Sequence, residues 1–159
     1  MNGKTGAQWA TEIFAEDMLA IDFLGVSIDL AEQDHAILSM DIKERHMSAR
    51  AQVQGGTLFT LADFGFAVCA GYNNPVTVTL SADIKYMSAV KGKKLICEVN
   101  CIKDGRHACF YQANIRDELD TPVACVLIEG YRFDCHDDSE FPADAIDNPY
   151  KEQMYFHKA

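Results

Sequence analysis

Apolar and polar positions alternate along this chain with two different periods, and the changeovers mark its elements. Residues 7–21 place Ala10, Ile13, Phe14, Met18 and Ile21 at three- and four-residue spacing with Glu12, Glu16 and Asp17 between them, which predicts a short amphipathic helix. Trp9 and Phe14 on it are read as packing residues. Residues 22–31 and 35–43 read as two strands, the second alternating through Ala36, Leu38, Met40 and Ile42, with Glu32-Gln33-Asp34 as the turn of a hairpin. Glu44 to Gln54 has no period and reads as a loop. From Thr57 to Tyr72 the chain is apolar on every side apart from Asp63, the pattern of a helix buried all round, with Gly55 and Gly56 just before it. Asn73-Asn74-Pro75 stops that helix, because proline cannot continue it.

The clearest alternation follows: Val76, Val78, Leu80, Ala82, Ile84 and Tyr86 on one face, Thr77, Thr79, Ser81, Asp83 and Lys85 on the other. The first set reads as core, the second as a polar face bordering a ligand or a partner. Turn signals at Gly92, Asp104-Gly105 and Asp117–Asp120 mark off strands near 93–103, 106–116 and 122–133, which predicts an antiparallel meander. The fold class is therefore α+β: an antiparallel sheet of about six strands wrapped around one long central helix. The order is a single domain over 1–159, with a helical segment about 7–21, a core about 22–133 and an acidic, aperiodic tail 135–159.

Charge narrows the partners. The net charge of -10 argues against nucleic acid and against an anionic membrane. Between Lys43 and Arg106, however, nine basic residues face five acidic ones, a net of +4 that leaves -14 for the rest. That reads as a local site for a phosphorylated small molecule, or as ordinary solvated strand ends. No apolar run is long enough for a membrane span and the first residues lack an apolar signal region, so a soluble cytoplasmic protein is expected. The six cysteines form no CxxC pair and have no histidine at ligand spacing, so free thiols and no metal are expected.

The chemistry gathers around Asp63. A lone carboxylate on an apolar helix must be paired, partly protonated or lining a working cavity, since burying it without a partner costs several kcal/mol. Gly55 and Gly56 let a ligand approach the N–H groups at the positive end of that helix, where a carbonyl can be polarised. Eight residues separate Gly55 from Asp63, roughly 12 Å along a helix axis, whereas hydrogen-bond reach is about 3 Å. Both can act on one substrate only from different chains, as in a two-fold dimer with antiparallel helices and two equivalent sites. Such a site suits acyl transfer to water, with the helix start stabilising the oxyanion and Asp63 as general base or nucleophile. A thioester suits so light an apparatus, because a thiolate leaves without protonation. Phe59, Phe64, Phe66 and Tyr86 are the candidates to line the pocket.

The run Gln54-Gly55-Gly56-x-x-Phe59-Thr60-Leu61-Ala62-Asp63-x-x-Phe66-Ala67, with the strand order around it, resembles the hotdog-fold acyl-CoA thioesterases of the phenylacetate-degradation, PaaI-like type over about residues 20–133. Those proteins are similar in the pattern His-x-Asn-x-x-Gly-x-x-His-Gly-Gly followed by an Asp eight residues after the first glycine. The resemblance implies an acyl-CoA substrate, no cofactor beyond the coenzyme A of that substrate, and a homodimer or a homotetramer built as a pair of dimers. It implies that Gly55 supplies an N–H to the thioester oxygen, that Asp63 comes from the other subunit, and that Ser81 supplies a hydroxyl to the attacking water. Gln54 and Ser48 take the places of the usual His and Asn, Ala51 that of the usual Gly, and His46 is retained. Gln54 can donate and accept but cannot carry a proton as His does. His46, Gly56, Phe59 and Tyr86 are the implied substrate contacts, and Arg106 with the lysines around Gly92 would meet the coenzyme A phosphates. The competing reading is a hotdog protein that binds an acyl-CoA or fatty acid without hydrolysing it. A hydratase would want a His–Asp pair at the helix entry, which Gln54 removes.

Overall fold

The computed structural model describes residues 3–134, so the acidic tail lies outside the described residues. Helix α1 runs from Gly6–Ile13, capped by Thr5 and Gln8 in a reciprocal pair. It does not continue to residue 21. The Asp17 carboxylate accepts the Ala20 N–H at 2.7 Å and starts a new, π-helical segment, Met18–Leu24, which ends at Gly25 with φ 71. A side chain that competes for the backbone thus splits the expected helix and delays the first strand to Val26.

The strands are β1 (Val26–Glu32), β2 (His35–Asp41), β3 (Thr77–Tyr86), β4 (Lys94–Lys103), β5 (Ala108–Asp117) and β6 (Pro122–Arg132). They form one antiparallel sheet in the order β1-β2-β4-β5-β6-β3. The meander holds for β4 to β6. Strand β3 instead pairs with β6 and forms the far edge, so its link to β4, residues 87–93, must cross the ends of β6 and β5.

Helix α2 (Gly55–Gly71) lies against all six strands. Gly55 and Gly56 form its first turn rather than preceding it, and Gln54 is its N-cap. Gly65 lets the helix approach the sheet: a Cβ there would lie 2.8 Å from Val99 Cγ2 and 3.1 Å from Leu38 Cδ1. Leu38, Met40, Leu61, Leu95, Ile115 and Ile128 fill the space between, each buried side chain contributing about 1.5–3 kcal/mol. Trp9 packs edge-on against Tyr72 and Phe14 against Phe64, so α1 closes the end of this core.

Helix α2 is not buried all round: Gly56, Phe59, Thr60, Asp63 and Ala67, spaced three or four apart, form a stripe the sheet leaves uncovered. Nor does β3 keep one apolar face. Its register against β6 shifts between Thr79 and Ser81, so Leu80 is an extra residue and the alternation reverses there. Thr77, Thr79, Ala82, Ile84 and Tyr86 share the helix side with Arg132, Gly130, Ile128, Val126 and Ala124 of β6, while Val78, Ser81, Asp83 and Lys85 face outward.

Candidate active site

The loop before α2 folds back on itself. Ser48 N–H donates to the Gln52 carbonyl at 2.7 Å, Arg50 N–H to Ser48 Oγ at 3.3 Å, and Ala51 takes φ 56 in the turn. Met47 pairs with Val53, and Gln54 N–H donates to the His46 carbonyl at 2.9 Å, which fixes where the helix begins. The Gln54 side chain makes no capping bond. No acceptor among the described residues takes the Gly55 or Gly56 N–H, so the positive end of a 17-residue helix is left with free donors.

Tyr86, near the end of β3, donates its hydroxyl to the Gly55 carbonyl at 3.2 Å. Beside it opens a cavity of about 520 Å³ lined by Gly55, Leu58, Tyr86, Met87, Val90 and Val123 among others. Asp63 stands two turns further along the helix, half-buried on the uncovered stripe. Its Oδ1 accepts from Thr79 Oγ1 at 3.1 Å.

The protomer therefore brings Gln54, Gly55, Gly56 and Tyr86 together at one place and leaves Asp63 about two turns away, roughly 12 Å by helix rise. Phe59 lies between them on the same stripe. Several expected residues are placed elsewhere. Ser81 is on the outer face, donating to Glu129 Oε2 at 3.0 Å, because the bulge at Leu80 turns it away from Asp63. Thr79 is the hydroxyl that reaches the carboxylate instead. Ser48 Oγ is occupied within its own turn. His46 is fully buried and its Nδ1 accepts the Lys43 N–H at 3.0 Å; burial, partly opposed by a hydrogen bond to the Phe23 backbone and reinforced by Arg45 and Lys43, lowers its pKa. It braces the loop from beneath and presents no surface to the cavity within this protomer. Phe64 and Phe66 are core residues, the latter edge-on to Tyr111 at 5.1 Å. Arg106 lines a separate cavity of about 380 Å³ with Pro75, Gly105 and Phe133, beyond the far end of α2, and approaches Asp134 at 3.7 Å.

Residues the sequence did not single out are Met87, Ser88, Ala89 and Val90 of the cavity wall, with Val123 opposite. They carry no period and no ionisable group. The five described cysteines are free, and burial pushes the Cys69 thiol up to about 12, far from a reactive thiolate. Among the described residues no group of three or more His, Cys, Asp or Glu is placed to hold a metal, and no helix is long and apolar enough to cross a membrane.

Residues 53–124, from the helix entry to the start of β6, match the family model described as the thioesterase superfamily. The chain is 26% identical over 102 residues to a putative esterase of Archaeoglobus fulgidus, an overlap of 64% of this chain and 66% of that protein, just under two thirds of its length. Its architecture is similar to the PaaI protein of E. coli from the phenylacetic acid degradation operon, with a TM-score of 0.74 and 19% identity over 80% of this chain and 94% of that one. It is also similar to a hypothetical thioesterase of Streptococcus pneumoniae TIGR4 whose structure contains coenzyme A, with a TM-score of 0.70 and 22% identity over 77% of this chain and 96% of that one.

Proposed function

We propose that this chain, a hotdog-fold member of the thioesterase superfamily with PaaI-like architecture, hydrolyses an acyl-CoA thioester at sites built between two protomers. The observation that carries this reading is the uncapped start of α2, with two free glycine N–H groups, Gly55 in the lining of a cavity and Gly56 next to it in the chain, and a tethered carboxylate two turns away. The thioester oxygen sits at the Gly55 and Gly56 N–H groups of one protomer, where each donor to the developing oxyanion is worth about 3 kcal/mol. Asp63 of the other protomer either takes a proton from the attacking water, with coenzyme A leaving as its thiolate and the free acid released, or attacks the carbonyl carbon itself, expelling the same thiolate to give a mixed anhydride that water then hydrolyses to the free acid and the Asp63 carboxylate. Thr79 holds one oxygen of that carboxylate, leaving the second for the reaction.

A second protomer also accounts for features the single one leaves open. The uncovered stripe of α2 needs a neighbour, and β3 offers an open sheet edge with Leu80 63% exposed. Two-fold pairing along β3 lays the two helices antiparallel and supplies each stripe with the other. A pair of such dimers would meet through the outer sheet face, where Leu127 and Tyr131 are exposed. A CoA ester as substrate fits work in the cytoplasm. The lysines near Gly92, on and just after the crossover that walls the cavity, then serve the phosphates, a role that the position of Arg106 in the separate cavity does not favour for that residue in the same protomer.

The engagement of His46 and Ser48 in the local turn favours one rival, binding without hydrolysis. Incubation with short, medium, long and aryl acyl-CoAs and a thiol-reactive dye separates the two. The expected result is thiol release that falls at least about a hundredfold in Asp63→Asn, the lower end of what a positioned base contributes, with binding retained. Release no greater than that of the variant across the whole panel would leave only binding.

A further inference from the structure

The β3–β4 crossover, residues 87–93, forms one wall of the cavity at the start of α2, yet it has no neighbouring strand to pair with. It spans three strand spacings, about 14 Å, and its backbone donors need partners wherever they are withdrawn from water. The Met87 N–H donates to the Val123 carbonyl at 2.8 Å, and that of Ser88 approaches the same oxygen at 3.3 Å. The other end is held by two carboxylates from the β5–β6 turn. Asp117, fully buried, accepts the Lys91 and Gly92 N–H groups on Oδ2 at 2.9 and 3.0 Å and those of Leu119 and Thr121 on Oδ1 at 3.0 and 2.9 Å. Glu118 accepts the Lys93 and Lys94 N–H groups at 2.7 and 2.8 Å. Gly92 is the residue that lets the second carboxylate close in, since a Cβ there would lie 2.2 Å from Glu118 Oε2.

We propose that Asp117 is a positioning residue of the substrate cavity: by tying the crossover to the turn beneath it, it holds Met87–Val90 as a fixed wall and so sets which acyl-CoA fits. This rests on the thioesterase reading. Four N–H donors converging on one carboxylate are more than a turn of five residues needs for itself, and two of them belong to the loop that lines the cavity. Asp63 and the glycine donors stand on α2, a separate element, so loosening the wall leaves the chemical groups in place. The consequence is a change in substrate affinity and selectivity with the turnover step preserved.

The test uses Asp117→Asn, whose NH2 group meets two N–H donors head-on, and the milder Glu118→Gln, each assayed on straight-chain acyl-CoAs from acetyl to decanoyl. The expected result is a KM for the preferred acyl-CoA raised about tenfold in Asp117→Asn, a flatter chain-length profile, and kcat within about threefold of wild type, the signature of lost ground-state and transition-state binding together. Glu118→Gln shifts KM in the same direction by less, and decides the matter if Asp117→Asn does not fold. An unmoved KM and chain-length profile in the folded variants, with only a lower Tm, would overturn the proposal while leaving the thioesterase reading intact. No hydrolysis of any acyl-CoA by the wild-type protein would overturn both.

Discussion

Replacing Gly56 with alanine separates what the protomer needs from what the active site needs. Gly56 is the second residue of α2, it is exposed, and its φ is not in the left-handed region. A Cβ built on it meets nothing within 4 Å. Nothing inside the protomer therefore calls for glycine. Within a helix, alanine is favoured over glycine by roughly 0.5–1 kcal/mol, and less in the first turn where hydrogen bonding is incomplete. For a chain of 159 residues each kcal/mol is worth about 2–4 °C in Tm. The fold should accordingly gain up to a few degrees. Activity should move the other way. A methyl group beside the Gly56 N–H occupies space where a carbonyl oxygen must come within about 3 Å of the donor. A displacement near 1 Å in such a geometry is able to cost about a hundredfold in rate. The assay is kcat/KM on the best acyl-CoA beside a thermal melt of the same preparation. An unchanged or raised Tm with kcat/KM down at least tenfold is the predicted pair; wild-type kcat/KM in the alanine variant would refute the use of this helix start as the carbonyl site.

Thr79→Val keeps the shape of the side chain and removes its hydrogen bond to Asp63, an interaction with a carboxylate that is worth about 1.5 kcal/mol or less at this exposed position. The expected result is kcat down by up to about tenfold with KM little changed, and an unaltered kcat would show that Thr79 does not hold the working carboxylate. Ser81→Ala, by contrast, should leave kcat where it is, because its hydroxyl bonds Glu129 on the outer face. Burial alone would raise the Asp117 pKa, but the Lys91, Thr121 and Gly92 N–H groups outweigh it and hold the carboxyl below the usual range; hydrogen bonds from Lys93 and Lys94 lower Glu118 likewise. Carboxylates depressed in the folded state contribute stability that is complete above their unfolded pKa values, about 4, and is lost as pH falls toward the lower folded values. Melts between pH 6 and pH 2.5 should show Tm falling steeply below about pH 4 in the wild type and less steeply in Asp117→Asn. Parallel curves would mean that the clamp does not respond to acid.

The helix α2, its stop at Asn73–Pro75 and strands β4 to β6 were legible in the sequence because each buries a face with a regular period. What was not legible depends on single residues that break the period. Asp17 looks like any polar position on an amphipathic helix until its carboxylate takes the Ala20 N–H and restarts the winding. Leu80 continues a perfect alternation on paper, and only pairing with β6 shows that it is one residue too many. That bulge decides the site, exchanging Ser81 for Thr79 as the partner of Asp63. The place of β3 at the far edge was hidden for a related reason, since local turn signals say where strands end but not which strands meet. That Gly55 and Gly56 stand on one helix with Asp63, some two turns apart, could be read, because an unbroken apolar run fixes the helix and its rise fixes the spacing. The burial of His46 could not be read, because a histidine that bonds its own loop looks the same in sequence as one that faces a cavity.

The claim on which the rest depends is that the carbonyl site and the carboxylate of one reaction belong to different protomers, and subunit complementation tests it most directly. Gly55→Pro removes the donor at the first helical position, where proline is well tolerated and where Gln54 already has the extended conformation that a following proline requires. Its ring would press on Tyr86 Oη, 2.8 Å from a Cβ at this position, the tip of an exposed side chain that can turn aside. Asp63→Asn removes the carboxylate. Each variant alone should be nearly inactive. Co-refolded in equal amounts, half of the dimers are mixed and each has one intact site, so activity should recover to about a quarter of wild type. No recovery beyond the two separate variants, with mixed dimers demonstrated in the sample, would show that both groups serve the reaction from one chain and would contradict the account.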